Sequence, residues 1–217
     1  MKNIYKALLA STLSFAVAQS NAAVVVLNFE GIANSTAVGN FYNGGAGTNY
    51  GIQFSPATLA LVDSDAGGTG NFANEPSANT IMFFLNANNA ILNIAAGFDT
   101  GFSFFYTSSV AATVNVYSGL NATGTLLGSL NLNAQHTQNC SGDPSGTFCN
   151  WTAVGVNFSG IAQSIDFGGT ASQVGFDDIT FGTSRAGGEN PVPLPATAGL
   201  LALGLLGLAR RRGLTTD

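Results

Sequence analysis

The 217-residue sequence predicts an all-β chain, one antiparallel sandwich or barrel, with a short apolar segment at each end that stands apart from it. Three observations carry this. β-rich runs of four to eight residues recur along the middle of the chain, several with strict apolar/polar alternation. Turn residues fall between nearly all of them, including Gly67-Gly68, Gly119-Leu120-Asn121 and Gly168-Gly169. Charged residues make up only 8% of the chain, against about 25% in an ordinary domain, so the Glu, Lys and Arg that cover exposed helix faces are missing.

The elements follow in order. Residues 24–29 form a strongly apolar first strand. Residues 50–54 follow a Gly/Asn loop, Asn43-Gly44-Gly45-Ala46-Gly47, and 59–62, 80–85 and 90–94 come next. Residues 102–106 and 113–117 are separated by small residues and read as a pair. Residues 126–132, 152–158, 164–167 and 174–181 complete the set. Strands at this spacing with no helical period place residues 23–182 in one β-sandwich domain, long enough to bury a core. No internal repeat is visible.

The ends read as addresses. Lys2 and Lys6, an apolar stretch over residues 7–18, and Ser20-Asn21-Ala22 form the three parts of a secretory signal peptide, residues 1–22. Residues 183–192, with Ser184, Gly187, Gly188, Asn190 and Pro191, read as a linker. The segment 193–212 contains a proline motif, an apolar run over 196–209, and Arg210, Arg211 and Arg212; residues 213–217 are a tail. Fourteen helical residues span about 21 Å, a short transmembrane helix, with the arginines on the cytoplasmic side. By itself this order also suits an ordinary single-pass anchor.

The charge distribution excludes several functions. Five of the six basic residues lie in the two end segments, leaving Arg185 alone between residues 23 and 195 against ten carboxylates. Nucleic-acid binding needs a basic face, and phosphoryl transfer needs Lys or Arg beside the moving group; neither is available. The single histidine, His136, lies in a polar loop, reads as solvated, and has no Gly-x-Ser-x-Gly elbow to serve. Paired carboxylates for glycoside hydrolysis survive the count, though none stands in a recognisable context.

Cys140 and Cys149 are the only cysteines. In an exported chain an even pair reads as a disulfide, here closing a protruding loop. Zinc is the alternative, but it takes four ligands and only His136 is near.

The acidic residues at the two ends of the domain draw the sharpest expectation. Glu30 ends the first strand and Asp177-Asp178 interrupt the last. First and last strands of such a sandwich commonly pair, which brings these carboxylates together. Alternation puts Asp177 on the inward face with Ile179 and Phe181. A buried carboxylate with no basic partner is costly, and a hard cation such as Ca²⁺ would satisfy it; an exposed strand-end cap is the plainer reading. Asp63-Ser64-Asp65 fails as an EF-hand, because Gly67 and Asn74 occupy ligand positions five and twelve. Trp151, at a strand start, is either a core residue or a stacking face for a sugar.

Two resemblances extend this reading. Val192-Pro193-Leu194-Pro195-Ala196, followed by the apolar run and the arginines, resembles the PEP-CTERM sorting signal of Gram-negative bacteria in its Val-Pro-Leu-Pro-Ala variant, with Leu194 where the common form has Glu. That resemblance implies export across the inner membrane, transient anchoring there, processing by an exosortase, and delivery to the cell surface or beyond. The Glu30 and Asp177-Asp178 segments resemble the start and final strand of jelly-roll carbohydrate-binding modules, which implies a jelly-roll-like antiparallel β-sandwich with a structural calcium held by Glu30 and Asp177, and Asp178 as a third ligand. Tyr50-Gly51-Ile52-Gln53-Phe54, residues 114–118 and the Asp-Asp-Ile-Thr-Phe-Gly ending are also similar to secreted PEP-CTERM domains of unknown function. The expected protein is a non-catalytic surface or extracellular-matrix protein that binds polysaccharide. A secreted carbohydrate-active enzyme with a carboxylate pair and a self-assembling structural protein are the alternatives; the second draws on the missing Lys gatekeepers at strand edges.

Overall fold

The computed structural model describes residues 24–141 and 146–188. The signal peptide, Glu189, the Val192–Ala196 motif, the apolar run and Arg210–Arg212 lie outside the described residues. Among those described, all regular structure is β-strand: β1 Val25–Leu27, β2 Thr36–Ala37, β3 Ile52–Phe54, β4 Thr58–Val62, β5 Thr80–Phe84, β6 Asn89–Phe98, β7 Gly101–Ser108, β8 Ala112–Gly119, β9 Thr123–Leu132, β10 Thr152–Asn157, β11 Ala162–Gly168 and β12 Val174–Phe181.

The strands form two antiparallel sheets. The larger runs β10-β7-β12-β5-β4-β2, with β1 also on β12; the smaller runs β3-β6-β11-β8-β9. Their connectivity defines a jelly roll. β5, β6, β7 and β8 alternate between the sheets, and β9 to β12 retrace that path, so that β8 pairs with β9, β7 with β10, β6 with β11 and β5 with β12. A long hairpin wrapped over itself gives this nesting.

Alternation in the sequence sets the core. Phe102, Phe104 and Phe176 of the larger sheet meet Leu92, Val114, Val116, Ile165 and Phe167 of the smaller, all fully buried. Their rings pack edge to face: Phe167 lies 4.9 Å from Phe176 at 68°, and Phe104 lies 5.5 Å from Phe176 at the same angle. This geometry suits the ring quadrupoles and contributes beyond area burial alone.

Several sequence expectations change. The runs at 102–106 and 113–117 do not pair with each other: β7 belongs to the larger sheet and β8 to the smaller, so residues 109–111 are a crossover and not a hairpin turn. The first strand stops at Leu27, because Phe29 turns to φ 62° and gives its N–H to the Tyr42 hydroxyl at 2.8 Å. β6 runs on to Phe98, well past residue 94.

The larger sheet is covered on both faces around β5. All five residues of β5 are buried. Met82 and Phe84 face the core, while Ile81 and Phe83 join Phe72 and Ala73 in a separate apolar layer on the outer side. The segments 63–79, 133–141 and 146–151 contribute to that layer.

Candidate functional site

The predicted pairing of first and last strands is present. β1 pairs with β12 over Val25↔Phe181, Val26↔Thr180 and Leu27↔Ile179. β5 pairs with the same side of β12 further upstream, at Phe176↔Met82. Between these neighbours β12 carries a bulge, where its register against β7 shifts between Asp177 and Thr180 and Asp178 adopts φ 46°. A bulge inserts an extra residue and breaks the alternation. Val174 and Phe176 point into the core on one side of it, Ile179 and Phe181 on the other.

That break corrects the parity argument. Asp177 is fully buried, but beneath the segment leading into β5 instead of among the core side chains. The Ser77 N–H donates to Asp177 Oδ2 at 2.8 Å, the Ser77 hydroxyl reaches Oδ1 at 2.8 Å, and the Asp178 N–H donates to Oδ1 at 2.7 Å. Glu30, half-buried, binds the same segment: the N–H groups of Asn79 and Thr80 both donate to its Oε1 at 2.8 Å. Two carboxylates from the chain's two ends therefore clamp residues 77–80.

Among the described residues no basic side chain balances them. Burial pushes Asp177 up from 3.8 to about 7; the Ser77 N–H opposes this and the neighbouring Asp178 charge adds to it. Burial also raises Asp178, and the Glu30 carboxylate adds to that rise. Glu30, Asp177 and Asp178 thus share one electrostatic environment. Its donor set is oxygen only, which suits a hard cation. Among the described residues no group of three or more His, Cys, Asp or Glu is arranged as a ready-made metal cage. Carbonyl or solvent oxygens would have to complete any coordination.

Beside this corner lies an open cleft of about 540 Å³, lined by Asn28, Glu30, Phe41, Tyr42, Thr48 and Tyr50 among others. Tyr50 is 41% exposed and its ring stacks on that of buried Tyr42 at 6.3 Å and 27°. Burial holds the Tyr42 phenol well above its usual range. Its hydroxyl accepts from Phe29 N–H and fixes the ring beneath Tyr50. Sequence reasoning had no period to connect Tyr42 and Tyr50 with Glu30; the glycine-rich loop between Asn43 and Gly47 folds them together.

The remaining candidates fall elsewhere. Cys140 and Cys149 form a disulfide. The described residues on its C-terminal side pack against the domain: Cys149 is buried, Ala73 N–H donates to Phe148 O, and Phe148 N–H donates to Asn71 O. Trp151 is half-buried in the same layer; its indole N–H donates to Ala73 O at 3.0 Å and its ring packs edge-on against Phe72. His136 is half-buried rather than solvated, with its ring 5.3 Å from Phe148.

No protein-family model matches the chain, and no curated protein does. Solved structures do. A carbohydrate-binding module from Clostridium stercorarium, in complex with cellobiose, is 18% identical over 74% of this chain and 94% of that one, with a TM-score of 0.39. The K2 cleaved adhesin domain of Lys-gingipain is 13% identical over 73% of this chain and 97% of its own, with a TM-score of 0.45. A family 29 carbohydrate-binding module is 11% identical over 79% and 100%, with a TM-score of 0.41.

Proposed function

We propose that the chain is an exported, non-catalytic surface or extracellular-matrix protein whose jelly roll binds polysaccharide. The observation that carries this is the Tyr50 cleft. Sugar recognition needs an exposed aromatic face and hydrogen-bonding groups around it, and Tyr50, Asn28, Thr48 and Glu30 supply both. Among the described residues no Lys, Arg or His lines the cleft with them, which suits a neutral polymer. Glu30 is held by two backbone N–H groups, a positioning role in place of general acid work.

Calcium belongs to the same proposal. Glu30, Asp177 and Asp178 would hold it, and it would neutralise carboxylates that the fold buries without a basic partner. Delivery completes the proposal: the signal peptide exports the chain, an exosortase processes the Val192–Ala196 tail, and the membrane segment anchors the protein only until then. The disulfide fits an oxidising compartment.

The test is a glycan array probed with the exported protein, wild type and Tyr50→Ala, in calcium and in chelator. Binding of neutral polysaccharide by the wild type and its loss in Tyr50→Ala is the expected result. Equal binding by both proteins would remove the cleft from the account.

A further inference from the structure

The outer layer of the larger sheet contains a second and more selective feature. Thr107 on β7 sits opposite Gly175 on β12, both buried. Thr107 is 1% exposed, and its hydroxyl is the one buried side-chain polar atom among the described residues without a hydrogen-bond partner. Orphan hydroxyls of this kind are rare in folded proteins. Thr107 lines a slot of about 30 Å³ whose walls include Phe72, Ile81, Phe83 and Phe148, with Asn71 and Ser172 as its other polar lining residues. Gly175 keeps the floor open, since a Cβ there would come within 2.8 Å of Ile81 Cδ1 and 3.3 Å of Thr107 Cγ2.

The slot's chemistry restricts its occupant. Its walls are mostly apolar, with Asn71, Thr107 and Ser172 the polar residues among them, so a ring edge carrying several hydroxyls would leave most of them unsatisfied. Among the described residues no cation lines it, so a uronate carboxylate would lose its solvation without return. A group that fits is neutral, small, apolar at one end, and carries one hydrogen-bond acceptor. An acetyl group, as ester or acetamide, meets all four conditions: its methyl lies against the aromatic walls and its carbonyl accepts from Thr107.

We infer that this slot binds the acetyl substituents of an acetylated polysaccharide. The inference rests on the polysaccharide-binding reading and narrows it to a chemical class. It also gives the disulfide loop a task. Phe148 adjoins Cys149, and the loop lays it over the slot through backbone bonds to Asn71 and Ala73.

The experiment uses the exported protein and paired neutral polymers, acetylated glucomannan and acetylated xylan, each alongside the same material after mild alkaline deacetylation. Affinity electrophoresis or calorimetry should show at least about ten-fold tighter binding to the acetylated partner. Thr107→Val keeps the shape and removes the donor; it should lose about five-fold in affinity for the acetylated polymer, the worth of one neutral hydrogen bond, and nothing for the deacetylated one. Its melting temperature should stay level or rise, which separates the effect from misfolding. Equal binding to both members of each pair overturns the acetyl inference and leaves polysaccharide binding intact. Binding to neither polymer, together with an empty glycan array, overturns both. A crystal structure in which two waters satisfy Thr107 and remain in place with acetylated glucomannan bound also overturns it.

Discussion

In chelator, the stability of this domain should fall as pH rises through the range where most proteins are steady, and Asp177 should be the cause. Its carboxyl titrates at about 7 in the fold against 3.8 in an ordinary setting, mainly through burial. The folded state therefore holds a proton that the unfolded chain has already released. Stability from this source is complete below pH 4, declines from there, and is gone above pH 7. Three pH units at about 1.4 kcal/mol each give on the order of 4 kcal/mol. For a domain of this size that is on the order of 8–16 °C in melting temperature. The assay is thermal unfolding at pH 4.5 and pH 8, wild type against Asp177→Asn, so that contributions from other carboxylates cancel in the difference. Wild type should lose the larger share of its stability at pH 8, and millimolar calcium should return it there while acting weakly at pH 4.5. Identical pH slopes in the two proteins would refute the reasoning, because Asp177 would then ionise in the fold without cost.

Other consequences are simpler to read. Phe167→Ala removes a ring at the centre of the aromatic core and should cost about 3–5 kcal/mol, measured by denaturant unfolding. Reducing the Cys140–Cys149 bond should cost about 2.5–3 kcal/mol in the entropic view, and hydrogen exchange should rise first at Phe148 and Ala73. Ser77→Ala strips one donor from buried Asp177 and should lower the melting temperature more in chelator than in calcium. Deleting residues 191–217 should change where the protein accumulates; unchanged localisation would count against the sorting signal.

Legibility in the sequence followed physical rules. The strands were visible because alternation marks a half-buried strand, and the pairing of β1 with β12 followed from the habit of such sandwiches to pair their first and last strands, which brought Glu30 near Asp177-Asp178. Alternation gives a face but never a partner, so the short link at 109–111 looked like a hairpin when it crosses between sheets. It also fails at a bulge: Asp177 was rightly expected to be buried, but a register shift within β12 carries it under residues 77–80 instead of into the core. The outer layer was hardest to see. Phe72 and Phe148 are single aromatics inside polar Gly/Asn segments, with no period around them. One signal was present: residues 80–85, Thr-Ile-Met-Phe-Phe-Leu, form a nearly unbroken apolar run, and such a run marks a strand covered on both faces. Following it would have placed a cover over β5, and with it the slot beside Thr107.

The claim that most needs a direct measurement is recognition of polysaccharide. Calorimetric titration of the protein with the polymers of the array gives it, carried out on wild type and Tyr50→Ala in calcium. A saturable isotherm for wild type, weakened at least about ten-fold in the variant, is the predicted result. No heat and no binding with any polymer, in a protein whose melting curve shows it folded, would contradict the account.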